Sequence, residues 1–122
     1  MFSRSSISLA IAVITKIELQ QKLAVRDLKM VLIDVREPSE TVEGTIPTAR
    51  LIPLAEVSDA LTRTPPEAFK KRYGFARPEF SDEIVFYCRS GKRADMACAL
   101  ADRNGYLNVV NYAGSYLDWV AK

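Results

Sequence analysis

The chain has 122 residues, 48% hydrophobic and 26% charged, with a formal net charge of +2. That is the length of one domain and the composition of an ordinary globular protein, and so even a charge gives no case for a nucleic-acid or membrane-surface partner. Histidine is absent, which removes a Cys–His dyad, a Ser–His–Asp triad and the commonest metal ligand together.

Residues 1–12 carry Arg4, several serines and an apolar run, with no acidic residue before Glu18. Those are features of a mitochondrial transit segment, and they fit a frayed start to the fold equally well. The run from Ile7 to Ile14 falls far short of the ~20 apolar residues that span a bilayer. A domain is expected over residues 13–122, opening with a short strand near Val13 to Thr15. Thr15 followed by Glu18 has the spacing of a capping box and predicts a helix to about Ala24.

Met30 to Val35 is a continuous apolar run suited to a parallel strand buried on both faces. Asp34 and Arg36 fall at its carboxyl end, the rim where α/β folds place their chemistry. Either they act there directly or they tether the next turn through an ion pair with Glu40; ion-pair networks are common without catalysis, which favours the tether. Pro38 to Glu43 predicts a helical turn stopped by Gly44, and Ile46 to Ile52 a short strand. Ala55 to Thr62 reads as a helix ended by Pro65-Pro66, and Glu67 to Tyr73 as another ended by Gly74. The excursion over residues 65–80 reads as packed surface, with a partial lid over the site as the sharper alternative.

Ile84-Val85-Phe86-Tyr87-Cys88-Arg89-Ser90-Gly91-Lys92-Arg93-Ala94-Asp95 carries the strongest signal. A β-branched and aromatic strand ends in a cysteine, a short basic loop follows, and Ala94, Ala97, Cys98 and Ala101 then recur at helical spacing. Helix N-termini and nearby cations lower a thiol's pKa, so Arg89, Lys92 and Arg93 favour a Cys88 thiolate. The same loop amides and cations suit a small oxyanion. Cys98, flanked by Ala97 and Ala99, reads as a small core residue rather than a resolving thiol. The two cysteines match neither a metal-site spacing nor a disulfide scaffold, so a reducing compartment fits best. After Asn104-Gly105, Val109 to Tyr112 predicts the last strand and Gly114 to Val120 a closing helix, with Tyr116 and Trp119 turned inward.

Cys-Arg-Ser-Gly-Lys-Arg after an apolar strand resembles the active-site loop of rhodanese-type sulfurtransferases. Asp34-Val35-Arg36-Glu37, Glu40 and Gly44-Thr45-Ile46-Pro47 resemble that family's upstream signature, and Asn111 to Trp119 its last strand and helix. The likeness is nearest to single-domain animal enzymes that pass sulfur from thiosulfate to glutathione. It implies a rhodanese-like α/β domain, with a central parallel five-stranded sheet and helices on both faces. It further implies a Cys88 persulfide, substrate binding by Arg89, Ser90, Gly91, Lys92 and Arg93, support from Asp34, Arg36 and Glu40, and no metal or organic cofactor. Glutathione is the implied acceptor, with cyanide serving in vitro, in a cytoplasmic or mitochondrial setting. Thr45 and Thr48 depart from the His and Gly common in the family, and Thr48 stands where glycine's positive φ is often needed. Two other readings stay open. A sulfur-relay or regulatory module would keep the loop and act on one protein partner. A cysteine phosphatase fits less well, because those enzymes resemble Cys-x5-Arg, whereas Arg93 comes one position earlier.

Overall fold

The computed structural model describes residues 11–25 and 29–122, so most of the segment read as an N-terminal extension, residues 1–10, lies outside the described residues. In chain order the elements are β1 (Ala12–Val13), α1 (Lys16–Ala24), β2 (Met30–Asp34), a 3-10 helix (Pro38–Glu43), β3 (Arg50–Leu51), α2 (Leu54–Thr62), α3 (Pro66–Tyr73), β4 (Glu83–Tyr87), α4 (Lys92–Arg103), β5 (Asn108–Asn111) and α5 (Ser115–Val120). The strands form one all-parallel sheet in the order β1-β5-β4-β2-β3.

β4 is the central strand, paired with β2 on one side and β5 on the other. That position explains its unbroken apolar run, since both faces need cover. Ile84, Phe86 and Cys88 enter one core with Val57, Leu61, Phe69, Ala97 and Ala101 from α2, α3 and α4. Val85 and Tyr87 point the other way, into a second core with Leu19 of α1 and Tyr112, against which Tyr116 and Trp119 pack. Helices therefore cover both faces, as expected. Each such fully buried aliphatic or aromatic side chain contributes about 1.5–3 kcal/mol. Cys98 belongs to the first core with no exposure, and burial pushes its thiol up to about 12.

The Thr15 capping box forms as predicted, with Glu18 N–H donating to the Thr15 hydroxyl and Thr15 N–H to the Glu18 carboxylate. Two strand boundaries differ. The first strand ends at Val13, because Thr15 is taken as the cap of α1. The strand expected over Ile46 to Ile52 shrinks to Arg50–Leu51, because Ile46 to Ala49 close a turn in which Thr48 has φ +70°. The departure from glycine at Thr48 thus carries a backbone cost, since a β-branched residue is strained in the left-handed region.

The chain leaves β2 for β3 in one direction and leaves β4 for β5 in the other. The carboxyl ends of β2 and β4 therefore flank the topological switch point, the crevice where open parallel sheets bind ligands. Asp34 closes β2 and Cys88 follows β4 directly at this point.

Candidate active site

Cys88 leaves β4 as the chain turns into α4, and the turn is set by Gly91 at φ +112°. The Gly91 N–H comes back to the sulfur, donating to Cys88 Sγ at 3.0 Å. Burial pushes the thiol up, but amide hydrogen bonds from Ala94, Gly91 and Ser90, with the Ser115 hydroxyl, outweigh it and leave the pKa below the ordinary value. The residue is only 1% exposed, yet what encloses the sulfur on this side is a cup of N–H groups rather than hydrocarbon. Such donors stabilise an anion with no reorganisation at the moment of reaction.

This narrows the origin of the thiolate. The sequence credits the cations together with the N–H groups that open the helix; Arg89 and Lys92 are exposed, and the amides carry the stabilisation. Arg93 does feel the thiolate's charge, but its guanidinium is committed elsewhere: Nη1 and Nη2 donate to Oε1 and Oε2 of Glu40. A fork of this kind is the strong form of ion pair, charge-assisted and geometrically fixed.

The tether expected between Asp34, Arg36 and Glu40 also needs correction. Arg36 pairs with Asp34, its Nη2 lying 2.8 Å from Oδ2, and both side chains are buried. Its remaining donors reach the backbone carbonyls of Glu40 and Gly44 rather than the Glu40 carboxylate. Its guanidinium also stacks on Tyr116, 4.2 Å from the ring centre. Arg36 thus staples the 3-10 helix to β2 through carbonyls, which frees the Glu40 carboxylate to hold Arg93 across the crevice. All three residues converge on the site, by a different wiring from the one expected.

The Arg93 fork, with further help from the Glu37 amide, holds the Glu40 carboxyl at about 2 against an ordinary 4.5. A carboxyl whose pKa is depressed on folding stabilises the fold above its unfolded value, and that stability is lost as pH falls through the folded one. Glu40→Gln should therefore flatten the fall in melting temperature between pH 4.5 and about 2. Thermal melts of both proteins across that window check this; parallel curves would mean that the pair contributes nothing to the fold.

Two residues at the site went unassigned in the sequence. Ser115 is fully buried, accepts the Cys88 N–H at 3.1 Å and lies 3.9 Å from Cys88 Sγ. Tyr116 donates its own N–H to the Cys88 carbonyl at 2.9 Å, and Leu117 does the same to Arg89 at 3.0 Å. Within the stretch from Asn111 to Trp119 nothing in the residue types marks them out. Among the described residues no group of acidic, cysteine or histidine side chains could hold a metal ion.

A cleft of about 530 Å³ lies beside the loop, lined by Arg89, Glu43, Val42, Tyr116, Leu117 and Val120, among others. Arg89 and Glu43 sit exposed on it, and among the described residues no ion pair engages either of them. Arg36 and Glu40 also line the cleft but are paired with Asp34 and Arg93, so Arg89 and Glu43 are the cation and anion it presents beside its apolar side chains. A second hollow, of about 470 Å³, runs along β2 and the α3–β4 connection past Lys29, Arg50, Phe75 and Arg77, and Cys88 is not among its lining residues.

Residues 15–122 match the family described as the rhodanese-like domain. The thiosulfate:glutathione sulfurtransferase of Homo sapiens is 44% identical over 92 residues, covering 75% of this chain and 79% of that one. The mitochondrial thiosulfate sulfurtransferase RDL2 of Saccharomyces cerevisiae is 40% identical over 94 residues, covering 77% of this chain and 62% of the yeast protein. The solved structure of the human single-domain sulfurtransferase TSTD1 superposes with a TM-score of 0.84 at 38% identity, over 91% of this chain and 96% of that one. The parallel sheet, the cysteine at its switch point and this match along nearly the whole described chain agree: the chain belongs to the rhodanese-like domain family.

Proposed function

We propose that this chain is a thiosulfate sulfurtransferase acting by double displacement through a Cys88 persulfide. The observation that carries the reading is the Cys88 sulfur seated in its amide cup, with the Gly91 N–H at 3.0 Å. Cys88 thiolate attacks the outer sulfur of thiosulfate; a new S–S bond forms, the old one breaks, and sulfite leaves with the bonding pair. The persulfide left on Cys88 carries its charge on the outer sulfur, where the amides of Ser90, Gly91 and Ala94 stabilise it. An acceptor thiolate then takes that sulfur, and Cys88 returns to its thiolate form. Splitting the transfer in two is the ordinary gain from a covalent intermediate.

Within this reading Cys88 is the catalytic residue and Ser90 and Gly91 supply the cup. Arg89 and Lys92 are the exposed cations that draw in the doubly charged donor. Arg93 binds substrate less directly than the motif implies, since Glu40 holds it in place at the rim. Asp34 and Arg36 support the site from β2. Neither step calls for a metal or an organic cofactor.

Glutathione is the acceptor this reading favours, with cyanide as its in vitro substitute. The cleft beside Arg89 supports it, because a tripeptide with two carboxylates and one ammonium complements Arg89 and Glu43 over an apolar floor. The setting is a cytoplasmic or mitochondrial one, and among the described residues no helix is long and apolar enough to cross a membrane. Residues 13–122 form the working domain, with the residues before them an extension. Thiosulfate with glutathione, thiosulfate alone and a phosphotyrosine mimic, assayed side by side, test the proposal. Catalytic sulfite release that depends on glutathione is expected. Hydrolysis of the mimic would overturn it, and a single turnover with no response to small thiols would point to a sulfur relay.

A further inference from the structure

Ser115 has φ +60°. A non-glycine residue held in the left-handed region costs about 1–2 kcal/mol and persists only where its surroundings over-determine it. Here three hydrogen bonds do so. The Ser115 hydroxyl accepts the Cys88 N–H at 3.1 Å and donates to the Tyr112 carbonyl at 3.0 Å, and the Ser115 N–H donates to that same carbonyl at 3.1 Å. The turn so formed aims the next two N–H groups, of Tyr116 and Leu117, at the carbonyls of Cys88 and Arg89. The peptide groups on both sides of Cys88 are therefore held by one short segment, and the sulfur itself is 3.9 Å from the same hydroxyl.

We propose that Ser115 is a positioning residue for Cys88: its hydroxyl, presented by the strained turn, fixes the peptide that carries the nucleophile and gives the sulfur a polar neighbour. Glycine would satisfy the backbone better at this position. Serine instead of glycine places a hydroxyl 3.9 Å from the sulfur, the one side-chain oxygen within hydrogen-bond reach of it among the described residues. Its contribution adds to those of the Ala94, Gly91 and Ser90 amides in favouring the thiolate. The charged groups on the elements around Cys88 are Arg89 and Lys92 of the loop, both exposed, Arg93 of α4 with Glu37 and Glu40 that face it, the Asp34–Arg36 pair at the end of β2, and Asp118 of α5, which accepts from the Tyr112 hydroxyl. Substituting Ser115 leaves all of them in place.

This role rests on Cys88 being the nucleophile, so the test uses one readout that needs no sulfur donor. Ser115→Gly and Ser115→Ala are compared with the parent by the pH dependence of iodoacetamide alkylation, by sulfite release from thiosulfate, and by thermal melting. Cys98, buried and pushed up to about 12, stays silent in the alkylation. Both variants should move the alkylation midpoint upward by about half a unit or more, because the hydroxyl that holds the Cys88 N–H and lies 3.9 Å from the sulfur is gone. Both should slow sulfite release about tenfold, the scale set by a misplaced reacting group. Ser115→Gly should melt within a few degrees of the parent, because relief of the strained φ offsets the lost hydroxyl bonds, so a loss of activity there is not a loss of fold. A glycine variant with the parent's midpoint and rate overturns the proposal, whatever alanine does. Should glycine fail to fold, the alanine midpoint decides on the same terms. A parent protein that releases no sulfite from thiosulfate would overturn the sulfurtransferase reading, and the alkylation curves would still judge Ser115.

Discussion

Gly91→Ala should lower both the stability and the activity of this protein sharply. A Cβ at Gly91 would lie 2.4 Å from the Ala113 carbonyl oxygen, a backbone atom that cannot rotate away. The residue also sits at φ +112°, a region that alanine rarely adopts. The expected cost is about 2–4 kcal/mol, and a drop of roughly 8–15 °C in melting temperature. The activity loss is separable from this. Relieving the clash means moving the loop away from the turn at Ala113, and the Gly91 N–H moves with it, off Cys88 Sγ. Losing one such preorganised donor costs about 10²-fold or more in turnover. Melting curves and sulfite release, both measured well below the variant's transition, check the two halves. An alanine variant with parental turnover would mean that the cup does not depend on this amide.

Cys88→Ser should leave the fold standing and abolish sulfur transfer. Serine is close in shape to cysteine, and the Gly91 N–H can donate to its hydroxyl as it does to sulfur, so stability should change by no more than about 1 kcal/mol. A hydroxyl in the same cup stays protonated and forms no persulfide, so turnover should fall by at least about 10³-fold, as when a covalent nucleophile is removed. Residual activity near the parent's would assign the chemistry to another group. Cys98 is the only other thiol, and its position in the first core argues against it.

The central strand and its loop were legible from the residues because their causes are local. Ile84 to Tyr87 had to be covered on both faces, and a cysteine followed by Arg89-Ser90-Gly91 could only fall at the strand's carboxyl end. The capping box at Thr15 and the stops at Gly44 and Gly74 are equally local. What the residues hid is the wiring across the chain. Glu40 and Arg93 stand 53 positions apart, and the motif placed Glu40 with Arg36, its neighbour in sequence. The strand-to-helix turn announced amides and cations together, but the residue string does not show which of them reach the sulfur: the N–H groups do, and Arg93 is turned to Glu40. Ser115 escaped notice because a positive φ at serine leaves no mark in composition or periodicity. Thr48 was the exception: its place in a turn usually given to glycine foretold its φ of +70°.

The persulfide is the claim on which the rest depends, and mass measurement reads it directly. The intact protein, incubated with thiosulfate and no acceptor, should gain one sulfur atom per chain and release one sulfite. Fragmentation should place that sulfur on Cys88, and glutathione should remove it. A chain that gains no sulfur, or carries it on Cys98, would contradict the account.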